Sequence, residues 1–139
     1  LKKFFKKFVL AGALLGFVAT NVNVDFASAD SSDTRYYLEW PKGGMGTAFT
    51  KPRNKDNYTS AYIKAEYIGN GHQLYAWVAD GNGGDQSGGH YYYVSAGEAR
   101  KLANLVKERG QSQARIAANL KGYSFQSIAS GGVWSPDSV

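Results

Sequence analysis

The chain has 139 residues, with 16 Lys and Arg against 11 Asp and Glu, a formal charge of +5 and no cysteine. Absence of cysteine excludes disulfide restraint, thiol catalysis and Cys-ligated zinc. Once an N-terminal leader is set aside, residues 30–139 suffice for one domain around one hydrophobic core and are too few for two.

The leader is read from charge followed by an apolar run. Lys2, Lys3, Lys6 and Lys7 precede the nearly unbroken stretch Phe8 to Ala19. Ala27-Ser28-Ala29 then supplies the small residues that signal peptidase accepts, which predicts a signal peptide over 1–29 with Ala27 and Ala29 in the −3 and −1 positions and cleavage before Asp30. The apolar run is too short for a bilayer core, which takes about 20 residues. The leader contains four of the 16 basic residues and one of the 11 acidic ones, so the charge of the remainder falls to +2. Most support for a nucleic-acid partner leaves with it, because that function needs a basic stripe or patch. The expected location is secreted and extracellular, with wall association as a candidate, and the expected partners during export are signal peptidase and the secretion machinery. A short Lys-rich leader on a cysteine-free protein points to a Gram-positive bacterium.

After a frayed start, the aromatic density of Arg35 to Trp40 predicts a strand that stops at Pro41. A turn-rich break leads to a short strand over Gly46 to Thr50, and Lys51 to Asn57 reads as an exposed loop. Between Tyr58 and Ile68, Ala61, Ile63, Ala65 and Tyr67 alternate with Ser60, Tyr62, Lys64 and Glu66, the period-2 pattern of a sheet with one wet face. Gly69-Asn70-Gly71 supplies a tight reversal into a second strand, Gln73 to Ala79, which predicts a β-hairpin. A Gly-rich loop follows over Asp80 to Gly89, and His90 to Val94 reads as a further strand. Ser95 and Glu98 form a capping box ahead of Ala99, Leu102, Ala103 and Val106 at i, i+3, i+4 and i+7, with Gly110 as a stop. An amphipathic helix is therefore expected over about 96–109. Gln113 to Leu120 and Tyr123 to Ile128 read as strands around Lys121-Gly122. The expected class is α+β, mainly antiparallel β-sheet or a small sandwich with that one helix.

Chemistry-bearing residues are sparse, and no catalytic, cofactor-binding or metal-ligating residue is nominated. His72 and His90 are the two histidines. A Ser-His-Asp device built from His90, Asp85 and a nearby Ser lacks any G-x-S-x-G elbow. Asp80-Gly81-Asn82-Gly83-Gly84-Asp85 holds oxygen ligands of the kind calcium takes, but without EF-hand spacing or its closing Glu it reads as a solvated loop. The aromatic content is more informative. Three Trp, ten Tyr and several Phe exceed what one small core encloses, so some rings are expected to stand exposed. Trp40, Trp77, Tyr91, Tyr92, Tyr93 and Trp134 are the candidate binding aromatics, and cross-strand pairing that merely stabilises the sheet is the simpler account of the same residues.

Ala114-Arg115-Ile116-Ala117-Ala118-Asn119, Tyr123-Ser124-Phe125 and the ending Ser130-Gly131-Gly132-Val133-Trp134-Ser135-Pro136-Asp137-Ser138 resemble the C-terminal part of a family of small exported Gram-positive proteins catalogued as a domain of unknown function. Tyr92 to Val94 and Glu108-Arg109-Gly110 belong to the same match. The resemblance implies a signal peptide, a strand-rich body and a closing Gly-x-Trp-x-Pro-Asp-Ser/Thr, and it carries over no catalytic residue. The expected function is non-enzymatic binding outside the cell, bacteriocin-like or cell-wall-associated, with wall glycan or a surface protein of another cell as partner. The alternative is a secreted hydrolase or enzyme inhibitor.

Overall fold

Alternation of apolar with polar side chains sends every second residue inward, and in a computed structural model, which describes residues 32–139, this pattern builds two antiparallel sheets. The strands are β1 (Thr34–Trp40), β2 (Thr47–Phe49), β3 (Arg53–Asn54), β4 (Ala61–Ile68), β5 (Leu74–Asp80), β6 (Tyr92–Val94), β7 (Ala99–Leu102), β8 (Gln113–Leu120) and β9 (Ile128–Ser135). The first sheet runs β1-β9-β4-β7; the second runs β2-β8-β5-β6, with β3 also paired to β8. Tyr36, Leu38, Trp40, Ile63 and Trp134 from the first sheet meet Leu74, Val78, Val94, Ile116 and Leu120 from the second in one buried cluster. The Trp40 indole spans the layers, donating its N–H to the Ala118 carbonyl at 3.1 Å. The result is a β-sandwich whose core closes within the described residues.

β9 is a central strand, bonded to β1 on one side and β4 on the other. It lies so close to β4 that a Cβ on Gly132 would overlap the Lys64 carbonyl oxygen, so glycine is required there. The β4 register shifts between Ala65 and Tyr67, leaving both Glu66 and Tyr67 exposed and returning Ile68 to the core. Tyr67 therefore faces outward, where strict alternation had placed it with Ala61, Ile63 and Ala65.

Three expectations are corrected. The class is nearly all β rather than α+β: among the described residues the helical structure is confined to a 3-10 turn at Gly69–Gly71, and the amphipathic helix expected over 96–109 is absent. Ser95 to Glu98 is instead a turn closed by Glu98 N–H to Ser95 O at 3.0 Å, with Gly97 at φ +85°, a conformation that a helix interior cannot contain. The Glu98 carboxylate does accept the Ser95 N–H at 2.9 Å, so the capping contact forms, but it closes a turn. Ala99–Leu102 then satisfies the free edge of β4. Leu102 and Val106 are both buried, which is what the apparent helical spacing recorded.

The second correction concerns the hairpin. β4 and β5 pair with different strands in different sheets, so Gly69-Asn70-Gly71, with Asn70 at φ 53°, carries the chain across the sandwich instead of back along its own edge. The third concerns two segments: Tyr123 to Ser127 forms a loop, β9 beginning only at Ile128, and Lys51 to Asn57, expected as an exposed loop, contains β3 paired to β8 and the buried Lys55. The signal peptide and its cleavage residues Ala27, Ala29 and Asp30 lie outside the described residues.

The two sheets are also tied by charge. Lys55, just after β3, is 2% exposed and Asp137, just after β9, is 0% exposed; they meet at 2.5 Å. Asp137 also accepts the Asp56 N–H at 2.9 Å, while the Lys55 ammonium donates to the Thr59 carbonyl. Breaking a buried, hydrogen-bonded pair from one side leaves the other charge without compensation. Asp137→Ala is expected to lower unfolding free energy by about 3–5 kcal/mol, read from urea denaturation; a loss below about 1 kcal/mol, the level of a surface pair, would show that the contact does not hold the sheets.

Candidate functional site

The buried cluster fills the centre of the sandwich, and a cleft bordered by Tyr36, Phe49, Thr50, Arg53 and Trp134 opens between β1 and the 49–53 segment. The densest grouping of aromatic rings lies elsewhere, on an outer face. On the outer face of the second sheet, strand register lines up side chains from four strands. Tyr75 lies opposite Tyr93 of β6 on one side and Asn119 of β8 on the other, and Asn119 in turn faces Thr47 of β2. One step along, Trp77 and Phe49 flank Ala117. Ala117 is fully covered although it points outward, so the flanking side chains close over it.

The rings form a continuous group. Tyr75 stacks on Tyr91 at 5.5 Å between centroids and 15° between planes, and Tyr93 lies 5.0 Å from Tyr75. Trp77 meets Tyr91 edge-on at 5.6 Å and Tyr75 at 6.4 Å. Such offset and edge-to-face pairings suit the ring quadrupoles and hold the group in place. Tyr91 and Tyr93 remain 40% and 47% exposed and Phe49 37%, so the group presents aromatic surface to solvent.

Cations frame this face. Lys121 Nζ lies 4.6 Å from the centre of the Tyr93 ring, and the Arg115 guanidinium 5.0 Å from that of Phe49. Arg115 is fixed by donating to the Thr50 carbonyl at 2.8 Å and the Gly81 carbonyl at 3.2 Å. Thr47 Oγ1 donates to Asn119 Oδ1 at 2.6 Å. Hydroxyl, amide and cationic groups thus border a shallow aromatic surface.

The Gly-rich loop supports this face. The Asp80 carboxylate accepts the backbone N–H groups of Asn82 and Gly84 at 2.9 and 3.0 Å and the Gln86 amide at 2.8 Å. The Gln86 hydrogen bond and those two backbone donors hold its carboxyl below the ordinary carboxylate range, against an opposing effect of burial. Partial burial raises the Asp85 carboxyl, but bonds from Ser87 and Tyr91 and the charge of Arg109 outweigh it, and the net shift is downward. The Tyr91 hydroxyl donates to Asp85, which anchors that ring. These carboxylates are occupied by the loop's own donors, and among the described residues there is no group of three or more His, Asp or Glu able to hold a metal ion. Asp85 turns to Ser87 and Tyr91, and His90 makes no side-chain hydrogen bond, so the imagined Ser-His-Asp device is not assembled. His72 Nδ1 lies 3.2 Å from the Lys121 carbonyl.

Of the candidate aromatics, Trp77, Tyr91 and Tyr93 come together on this face. Trp40 and Trp134 lie in the core at 1% exposure, and Tyr92 turns inward, its hydroxyl accepting the Ala103 N–H at 2.9 Å. Tyr75, Phe49, Arg115 and Lys121 were not nominated. Tyr75 shares the parity of Trp77 and was within reach of the alternation rule; Phe49, Arg115 and Lys121 are brought in by pairing across β8, which carries no local signal.

Fold and surface together define a small antiparallel β-sandwich with an aromatic outer face. Residues 23–138 match the family described as Protein of unknown function (DUF2712), and the chain belongs to that family. The matched span holds all nine strands and the closing Gly132 to Asp137. No curated protein and no solved structure matches the chain.

Because the folded Asp80 carboxyl is lowered from 3.8, its contribution to stability is full above that value and is lost as pH falls through the folded one. Asp80→Asn is therefore expected to be less stable than the parent at pH 7, with the gap closing on acidification below about pH 4. Urea midpoints across pH 2–7 check this, and a gap that is unchanged or wider at pH 2 contradicts it.

Proposed function

We propose that this protein is exported and acts outside the cell by binding rather than catalysis, and that the aromatic face of its second sheet contacts cell-wall glycan. The observation that carries the reading is the outward-facing group of half-buried Tyr75 and Trp77 with exposed Tyr91 and Tyr93, neighbouring centroids 5.0 to 6.4 Å apart. Sugar rings present flat C–H faces that stack on aromatic rings, while their hydroxyls find partners among groups such as Thr47, Asn119 and Lys121. Export is supported by the Lys-rich, apolar leader and the Ala27-Ser28-Ala29 site. A Gram-positive source is supported by the lack of cysteine, and a charge of +2 after leader removal suits an anionic wall. The same surface serves a wall-associated ligand and a bacteriocin-like factor directed at the wall of a competitor.

The test is sedimentation of residues 30–139 with purified peptidoglycan. Trp77→Ala is expected to weaken binding about tenfold, equivalent to about 1.4 kcal/mol, without loss of cooperative folding. Tyr91→Phe keeps the ring, loses the Asp85 contact and should bind nearly as the parent does. Absence of sedimentation with the wall, or equal binding by Trp77→Ala, overturns the assignment.

A further inference from the structure

The most exposed large apolar side chains among the described residues are not on the aromatic face. They are Phe125 at 81% and Met45 at 75%, on two neighbouring loops at one end of the sandwich, 41–46 and 121–127. Tyr123, 62% exposed, joins them, its ring edge-on to Phe125 at 5.0 Å. Met45 and Tyr123 approach to 3.8 and 4.0 Å of the point where a Cβ on Gly43 would stand, so the three side chains form one patch.

The loops that display them are held from within. Gly43 N–H donates to the Ser124 carbonyl at 2.7 Å, linking one loop to the other. Gly44, at φ +73°, packs so tightly that an added Cβ would lie 3.0 Å from the Gly122 carbonyl oxygen and 3.1 Å from Leu120 Cδ2. Ser124 is buried and its hydroxyl donates to the Gln126 carbonyl at 2.7 Å, so the side chains on either side, Tyr123 and Phe125, point outward. Asn70 Nδ2 donates to Gln126 Oε1 at 3.2 Å and joins the 3-10 turn to the same loop. Apolar groups kept in water on braced loops mark a surface that something apolar covers.

Charge identifies the occupant. Both loops carry an exposed lysine and neither contains an acidic residue; Lys42 stands beside the tip, while the Lys121 ammonium reaches toward the Tyr93 ring and donates to Gln73 Oε1 at 3.3 Å. Tyrosine, phenylalanine and methionine on loops that carry lysine and no acid match the chemistry of a bilayer interface, where rings enter the headgroup layer and ammonium groups meet anionic lipid. Among the described residues no helix is long and apolar enough to cross a membrane, so the contact is peripheral.

We propose that the tip formed by Met45, Tyr123 and Phe125, with Lys42 beside it, seats in the interface of an anionic lipid bilayer. This surface is distinct from the aromatic face, which it meets at Lys121, and the inference does not depend on glycan binding.

Flotation with vesicles of phosphatidylcholine and phosphatidylglycerol at three to one, and with phosphatidylcholine alone, tests it on residues 30–139, which contain both sheets and the whole described core. Removing the leader is essential, because its own apolar run would bind lipid. The expected result is association with the anionic vesicles at least tenfold tighter than with the neutral ones, weakened by 0.5 M salt. The triple variant Met45→Ser, Tyr123→Ser, Phe125→Ser should lose at least tenfold while keeping its melting transition, and Trp77→Ala should bind as the parent does. Where the triple variant does not fold, Phe125→Ser alone is read by the criterion of a clear loss of lipid binding. No association with anionic vesicles, an unchanged variant, or an equal loss in Trp77→Ala overturns the proposal. So does sedimentation equilibrium showing a dimer that the tip substitutions dissolve, since the occupant would then be a second copy of the chain.

Discussion

The meeting of Lys55 with Asp137 is the constraint around which the sandwich closes. Lys55 ends the segment that pairs with β8 in the second sheet, and Asp137 ends the segment that follows β9 in the first. Either charge buried alone would be strongly unfavourable, so both loops reach their places together. In a cysteine-free chain this contact holds together what a disulfide elsewhere would, with one difference. A disulfide restrains the unfolded chain as well, whereas the ion pair exists only once both sheets have formed. Arg53 reinforces the same junction, its guanidinium over the Trp134 ring and donating to the Trp134 carbonyl at 3.1 Å.

This junction also explains the closing sequence that carried the family resemblance. Gly132 allows β9 to approach β4, Trp134 fills the core, Pro136 is buried, and Ser135 Oγ donates to the Asp137 carbonyl at 2.9 Å. Asp137 then receives Lys55 and the backbone of the 55–57 turn. Each of these residues has a structural task, and the motif is the lock of the fold.

Local pattern made several strands legible. The bounds of β8 follow directly from its residues, and the inward set Ala61, Ile63 and Ala65 of β4 follows from alternation. What local pattern does not hold is the identity of a strand's partner. Gly69-Asn70-Gly71 reverses a chain equally well into a hairpin or across a sandwich, and the choice is made by β8 and β9, which pair with β5 and β4 from far along the chain. The spacing of Ala99, Leu102, Ala103 and Val106 misled for a related reason. Two inward side chains four residues apart arise from a helical face, but also from the end of an edge strand followed by a turn, and the open edge of β4 decides in favour of the strand. The aromatic surface divides in the same way. Parity groups Tyr75 with Trp77 and Tyr91 with Tyr93, whereas Phe49, Arg115 and Lys121 reach it through long-range pairing across β8.

The central strands explain why the outer surfaces take the form they do. β8 and β9 are rich in Ala, Gly and Ser, so the bulk that fills the core and covers the faces must come from their neighbours. On the outer face of the second sheet this leaves Ala117 as a floor between Phe49 and Trp77, and a flat aromatic surface results instead of a ridge. That surface crosses β5 at Tyr75 and Trp77, two residues and about 7 Å apart along the strand. The tip of Met45, Tyr123 and Phe125 stands at the end of the strands, around a loop that follows β8 directly, so the two surfaces face different directions and meet at Lys121. A body resting on a bilayer by that tip would hold the aromatic face roughly upright beside the membrane, open to polymers in the layer outside it. The two surfaces share Lys121, and their other residues are separate.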